Sequence, residues 1–255
     1  MPVKEQFLPP TSFIQSTHNT IAGQIALLLK CKSYNYAYVH RCFSFENALL
    51  DAMMMTGEKH DQNILLGGVD ELTSVSYTIL KRLGIYKNMS GASSAIYKNT
   101  TNGSIAGEGA SFFLLSGSPA EPYATVNGVK TWYKPSDIDQ TDAYINDFLH
   151  SHELALNEID AVIMGYSGDK DLDEIYIKLS EGIFAGNNIL YYKHLCGEYF
   201  TSTAFAFWLA ANLLKTNSCP DVLKLRFSEK NQLKNIIIYN QFKNKEHCII
   251  LLSSC

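Results

Sequence analysis

A cysteine at position 42 lies where a short apolar segment meets a segment with helical spacing. The pattern predicts a strand over residues 34–40 and a helix over residues 42–54. A cysteine on such a strand-to-helix turn has the geometry of a nucleophile elbow, and the free N–H groups of a helix N-terminus favour its thiolate. Cys42 is therefore predicted to be a nucleophile with a lowered pKa. The alternative is a packed cysteine, because cysteine is among the most often buried residues.

Other reactive groups give weaker patterns. A cysteine hydrolase would need a histidine beside Cys42, and the nearest one, His40, lies two residues back on the predicted strand and aligns with it only loosely. The six cysteines show no paired spacing such as C-x-x-C. With no secretory signal, they are expected to be free thiols in a reducing cytoplasm, and no metal site is expected.

Composition excludes several classes of function. The chain has 255 residues, of which 46% are hydrophobic and 18% charged, as in an ordinary globular protein. A net charge of -4 does not suggest nucleic-acid binding or a polybasic membrane patch. The longest apolar run, residues 204–214, is too short to span a bilayer. We therefore expect a cytoplasmic protein without membrane insertion.

Strand and helix patterns alternate along the chain. Strands are predicted over residues 63–66, 110–115, 123–126, 159–164, 189–192, 236–239 and 248–252, and helices over residues 21–30, 42–54, 137–152, 172–180 and 202–215. Near-continuous apolar strands indicate a sheet covered by helices on both faces, so the predicted class is α/β. The similar order in residues 1–116 and 117–255 predicts two related halves within one domain. Residues 86–102 are predicted to form a long loop.

Several motifs, taken in order, resemble the β-ketoacyl synthases, which have the thiolase fold. They are Cys42 with its helix, Gly67-Gly68, the segment Gly107-Glu108-Gly109-Ala110, Asp173 after the 159–164 strand, Lys193 followed by Gly197, and Asn240-Gln241-Phe242. The resemblance implies a layered α-β-α-β-α architecture. Because only 41 residues precede Cys42, the first half is expected to be truncated at its N-terminus. Supporting roles are implied for Lys193, Glu108, Asp173, Asn240 and Phe242.

The resemblance also shows where this chain departs from the family. Gly165 and Glu198 stand where the family has its two catalytic histidines. Decarboxylative condensation needs donors that hold the developing enolate oxygen, and Gly165 has no side chain to offer. An anionic Glu198 would repel that oxygen. His194 is near the lysine but is expected to be structural, since its shifted register would point the ring elsewhere.

Two functions follow from this resemblance. In the first, the chain is a catalytically incomplete subunit of the chain-length-factor type in fatty acid or polyketide biosynthesis. In the second, it is an active acyltransferase (a 3-oxoacyl-carrier-protein synthase) that uses Cys42 as the acyl-accepting nucleophile. The implied partners are a full-length ketosynthase in a heterodimer, or a second copy in a homodimer, together with an acyl carrier protein. No cofactor and no nucleic acid are expected.

Overall fold

The computed structural model describes residues 10–58, 63–87, 96, 101–118, 120–228 and 232–255. The chain divides into two compact units, Met1–His40 and Arg41–Cys255. The described residues of the first unit, 10–40, form two helices, α1 (Pro10–Gln15) and α2 (Thr20–Leu28). The helix predicted over residues 21–30 is therefore confirmed with slightly different ends.

The strand predicted over residues 34–40 is wrong, because the structure gives this segment no regular secondary structure. A strand needs a neighbouring strand to pair its backbone N–H and C=O groups, and the described part of this unit has none. The alternating tyrosines contact one another instead: the ring centroids of Tyr34 and Tyr36 are 6.2 Å apart with stacked rings, and those of Tyr36 and Tyr38 are 5.0 Å apart with tilted rings. The period-two pattern therefore accompanies contacts between tyrosine rings.

The second unit contains the remaining elements. Its helices are α3 (Ser44–Glu58), α4 (Ser74–Arg82), α5 (Ile138–Ser151), α6 (Lys170–Glu181), α7 (Lys193–Cys196) and α8 (Ser202–Thr216). Its strands are β1 (Asn63–Asp70), β2 (Gly109–Ser116), β3 (Thr125–Tyr133), β4 (Ala161–Met164), β5 (Asn188–Tyr191), β6 (Lys224–Arg226), β7 (Asn235–Phe242) and β8 (Glu246–Ser253). Short 3-10 turns occur at Arg41–Phe43, Leu156–Glu158 and Asp221–Leu223.

The strands form two sheets. Strands β1 and β2 make an antiparallel pair, and the larger sheet has the order β3-β8-β7-β4-β5-β6. In the larger sheet β4 is parallel to β5 and β7, and the outer pairs are antiparallel. The helices α3 and α8 contact both sheets and so lie between them, which makes the unit layered. The predicted α/β class and thiolase-like layering are confirmed.

Alternate residues of the central strands enter two different cores. Ala161 and Ile163 of β4 face the core that contains α3 and α8, while Val162 and Met164 face the core built with α5 and α6. All four side chains are buried, which accounts for the continuous apolar sequence of this strand. None of the described helices is long and apolar enough to cross a membrane.

Several boundaries differ from the sequence predictions, including those of β1 and β3. Strand β1 continues through Gly67 and Gly68 to Asp70 instead of ending at the glycines, and β3 starts two residues late and extends to Tyr133. The sequence analysis missed α4, whose exposed Val75 and Ile79 give it little core-facing periodicity. Most of the loop predicted over residues 86–102 lies outside the described residues.

Three phenylalanines join the middle helices to the small sheet. Phe207 of α8 lies 5.6 Å from Phe45 of α3 and 4.8 Å from Phe113 of β2, measured between ring centroids, with nearly perpendicular rings. Edge-to-face pairs of this kind add to the stabilisation from buried area. The aromatic cluster therefore fixes how α3, α8 and β2 pack.

We predict that Phe207→Ala lowers the free energy of unfolding by about 3–5 kcal/mol, because it leaves a cavity among the three rings. Trp208→Ala is the matched control, since the next aromatic residue of α8 is half-exposed and should cost clearly less. Urea unfolding followed by circular dichroism measures both. Equal losses in the two variants would contradict the packing described here.

Candidate active site around Cys42 and Lys193

The centre of the site is a buried lysine. Lys193 begins α7 directly after β5, and only 1% of its surface is exposed. Its Nζ lies 2.6 Å from Glu198 Oε2 and 2.9 Å from Asn240 Oδ1. A buried ammonium group is tolerated only when it is paired and hydrogen-bonded, so these two acceptors offset the desolvation of Lys193.

Asn240 is the hub of this network. Besides accepting from Lys193, its Oδ1 accepts from the hydroxyl of Tyr176 at 3.1 Å. Its Nδ2 donates to Thr203 Oγ1 at 2.9 Å. The amide therefore connects β7 to α6, α7 and α8. Its orientation is determined by three polar side chains on these three helices. The implied supporting role of Asn240 is consistent with this position.

The neighbourhood of Gly165 explains why a glycine stands there. Gly165 follows β4, and its N–H donates to the Tyr239 carbonyl at 3.1 Å. A Cβ atom added to it would lie 2.1 Å from Asn240 Oδ1 and 2.7 Å from the Tyr176 hydroxyl. Atoms at those distances overlap, so Asn240 and Tyr176 occupy the space that a histidine side chain would need.

Glu198 follows α7, and its side chain is 13% exposed. Burial raises the pKa of its carboxyl group, and Lys193 opposes that rise. Its backbone N–H donates to the Ile105 carbonyl at 2.7 Å, and its own carbonyl accepts from the N–H of Gly107 at 3.0 Å. The main chain therefore holds Glu198 in place, and its carboxylate is committed to Lys193.

Asp173 holds the loop after Gly165. Its carboxylate accepts from the N–H of Ser167 at 2.8 Å, from the Ser167 hydroxyl at 3.1 Å and from the N–H of Gly168 at 2.8 Å. Burial raises the pKa of Asp173 to about 6, while the two backbone donors act in the opposite direction. Asp173 thus supports the loop that carries Gly165.

Cys42 sits in the 3-10 turn that leads into α3, and the preceding residue, Arg41, has a positive φ of 51°. The thiol is buried and donates to Glu246 Oε2 at 2.6 Å. Burial raises its pKa well above the ordinary value, and Glu246, Glu46 and Glu198 raise it further. The prediction of a lowered Cys42 pKa is therefore wrong, because burial and then the nearby carboxylates outweigh the helix N-terminus.

The sequence analysis missed the two glutamates that surround Cys42. Glu246 begins β8, and Glu46 lies in the first turn of α3, where its Oε1 accepts from the Cys248 thiol at 3.2 Å. Burial raises the pKa of Glu46 to about 7. The sequence pattern could have revealed Glu46, because this charged residue lies three positions before Leu49 on the apolar face of the helix. Glu246 has no comparable signal.

Three further residues singled out in the sequence make contacts of other kinds. Glu108 Oε2 accepts from the N–H of Leu72 at 2.9 Å and so holds the segment after β1. Phe242 packs edge-on against Phe200, with ring centroids 5.6 Å apart. His194 is buried, and its ring centroid lies 4.0 Å from that of Tyr191, a residue of the core built with α5 and α6, which agrees with a structural histidine.

A cavity of about 220 Å³ reaches the network from the surface. Its lining includes Glu198, Phe242, Ser104, Asp169 and Lys243. The lining combines three carboxylates, of Asp169, Asp171 and Glu198, with three donor side chains, of Asn102, Ser104 and Lys243. The described residues contain no group of three or more histidine, cysteine, aspartate or glutamate side chains arranged to hold a metal ion.

Comparison with known proteins supports the resemblance that was inferred from the ordered sequence motifs. Residues 3–106 match the family model described as "Beta-ketoacyl synthase, N-terminal domain". The structure is similar to a β-ketoacyl synthase from Burkholderia phymatum, with a TM-score of 0.77 and 15% identity, covering 97% of this chain and 68% of that one. The chain has the fold of the β-ketoacyl synthases. The predicted resemblance is thereby confirmed.

Two other similar structures contain chain length factors. One is the ishigamide ketosynthase/chain length factor, with a TM-score of 0.78, 15% identity and coverage of 97% of this chain and 68% of that chain. The other is a ketosynthase in complex with its chain length factor from Xenorhabdus doucetiae, with a TM-score of 0.77, 18% identity and coverage of 95% and 66%. Against further ketosynthases the chain spans as little as 50% of their length. No match was found among curated protein sequences.

We predict that Gly165→Ala lowers the free energy of unfolding by about 1–3 kcal/mol, because the added methyl group overlaps Asn240 Oδ1. Gly186→Ala is the matched control, since an added Cβ there has nothing within 4 Å. In an Asn240→Ala background the cost of Gly165→Ala should fall, which a double-mutant cycle by urea unfolding measures. Additive losses would show that Asn240 does not occupy this space.

We also predict that Lys193→Met lowers the free energy of unfolding by about 3–5 kcal/mol at neutral pH, because it leaves the Glu198 carboxylate buried without its partner. In this variant the folded pKa of Glu198 exceeds its unfolded pKa, so stability falls as pH rises, and the deficit should be smaller at pH 5 than at pH 8. Lys178→Met is the control, because its pair with Glu174 is exposed and screened by solvent, so its loss should cost much less stability. A pH-independent deficit in Lys193→Met would contradict this account.

Proposed function

We propose that this chain is a catalytically incomplete ketosynthase-like subunit of the chain-length-factor type, acting in fatty acid or polyketide biosynthesis in the cytoplasm. It pairs with a complete ketosynthase and shares that enzyme's acyl carrier protein. The observation that carries the proposal is the filled space at Gly165, where Asn240 Oδ1 stands in the path of any side chain.

The chemistry of condensation supports this choice. The enolate formed from a malonyl thioester needs hydrogen-bond donors, and each donor of that kind contributes roughly 3 kcal/mol to the transition state. Gly165 provides none, and the Glu198 carboxylate is already bound to Lys193. Losing two donors slows the step by about four orders of magnitude.

The similar structures favour the same function. Two of them contain a ketosynthase and a chain length factor, and this chain covers about two thirds of the length of the chains it matches there. A subunit that contributes the fold without the two histidines fits the second role in such an assembly. The division into related halves at residue 116 belongs to this proposal as well.

The alternative is an active acyltransferase with Cys42 as the acyl acceptor. The retained cysteine and the cavity that reaches Glu198 favour it. Against it stands the hydrogen bond from the Cys42 thiol to Glu246, since a nucleophilic thiolate cannot keep that proton. We therefore prefer the incomplete subunit.

We predict that the purified chain does not release carbon dioxide from malonyl-carrier protein above the rate without protein. A complete ketosynthase assayed in parallel is the positive control, and trapped radiolabelled carbon dioxide is the measurement. Release by this chain that disappears in Cys42→Ala would overturn the proposal in favour of the acyltransferase.

The partner half of the proposal has its own readout. Native mass spectrometry after mixing with a complete ketosynthase should show a one-to-one complex of the two chains. Mixtures that contain only the separate homo-oligomers would count against the heterodimer.

A further inference from the structure

The hydrogen bond between Cys42 and Glu246 comes from a rigid part of the sheet. Glu246 pairs with Phe242 of β7 on one side and with Tyr133 of β3 on the other. Its backbone is therefore held by two neighbouring strands, and its carboxylate reaches the Cys42 sulfur at 2.6 Å. Side chains on such strands are positioned more tightly than side chains on loops.

The charged side chains that act on the sulfur all have the same sign. Glu246 accepts a hydrogen bond from the Cys42 thiol. Glu46 of α3 and Glu198, in the segment after α7, act on the sulfur through their negative charge. The neighbouring Cys248 thiol donates to Glu46. Lys193, the buried cation of the site, is bound to Glu198 and Asn240. Every one of these carboxylates favours the neutral thiol over the thiolate.

We propose that the Glu246 carboxylate keeps Cys42 as a neutral thiol, and this Cys42–Glu246 hydrogen bond is called the lock. Cys42 is then a latent acyl acceptor: it occupies the nucleophile position, but the chain itself keeps it unreactive. This inference rests on the proposed function and deepens it, because it explains how a non-condensing subunit retains the cysteine. The missing histidines prevent condensation, whereas the lock prevents the earlier acylation of Cys42.

The step that the lock prevents is a simple acyl transfer. The Cys42 sulfur would attack the carbonyl carbon of an acyl thioester and form a new C–S bond, while the C–S bond to the carrier breaks. The Cys42 proton ends on the released carrier thiol, so the step needs no further reactant. It begins with loss of the thiol proton, which the Glu246 carboxylate opposes as long as it is charged.

Glu246→Gln removes the charge and keeps the size of the side chain. Iodoacetamide labelling of Cys42, followed by peptide mass spectrometry from pH 6 to pH 10, reports the apparent pKa of the thiol. We expect this pKa to fall in the variant and the labelling rate at pH 8 to rise about tenfold or more, since one pKa unit is a factor of ten in thiolate. Glu46→Gln is the matched control: it removes a carboxylate that bonds to Cys248 and should give a smaller rise.

A second readout tests the latent acyl transfer. Incubation with an acetyl-pantetheine thioester should add an acetyl group to Cys42 in Glu246→Gln, measured by intact mass, and much less to the wild type. Cys42→Ser in the same background should remove the adduct at this site. A variant that merely opened the site would raise labelling equally at every pH, without moving the apparent pKa.

The lock is overturned if wild-type Cys42 labels as fast as a cysteine in an unstructured peptide, or if Glu246→Gln labels no faster than the wild type. Slower acylation in the variant would instead make Glu246 the base that activates Cys42. Should Glu246→Gln not fold by circular dichroism, Glu246→Ala serves for the same measurements. These outcomes are distinct from carbon dioxide release by the wild type, which overturns the proposed function itself.

Discussion

The buried ammonium group of Lys193 is the constraint on which the rest of the site depends. A charge at this depth must be met by an opposite charge and by oriented acceptors, and here Glu198 and Asn240 provide them. Asn240 can point its carbonyl oxygen at Lys193 only if its amide nitrogen has an acceptor, which Thr203 supplies. The same carbonyl then fills the space beside Gly165. One buried cation therefore determines four neighbouring positions.

This dependence makes the departures from the ketosynthase pattern a linked set. A histidine at position 165 would collide with Asn240, and a neutral residue at position 198 would leave Lys193 without its counter-charge. Each change therefore costs stability unless the other positions change as well. For this reason a single histidine at position 165, or a single neutral residue at position 198, is expected to destabilise the chain.

The sequence was sufficient for features that depend on local pattern. The strands at 159–164, 236–239 and 248–252 were found because they are buried on both faces. The assignment of Gly165 and Glu198 to the family's two histidine positions stays a prediction. The prediction of a strand over residues 34–40 was wrong because a strand must pair with a neighbouring strand, and the residues of the segment itself do not reveal whether one is present. The prediction of a lowered pKa for the Cys42 thiol was wrong for a similar reason. Glu246 is separated from Cys42 by 204 positions, and only the fold brings the two side chains together.

The glycine motif shows how packing alone can require part of a family pattern. A Cβ atom at Gly107 would lie 2.0 Å from the Cys196 carbonyl oxygen, and Gly197 has a φ of 75°, which favours glycine. The two backbones approach closely and exchange hydrogen bonds around Glu198. This contact joins β2's leading segment to the lysine loop whether or not an imidazole follows. The motif is therefore a requirement of packing, and function has to be argued from Glu198 and Cys42 themselves.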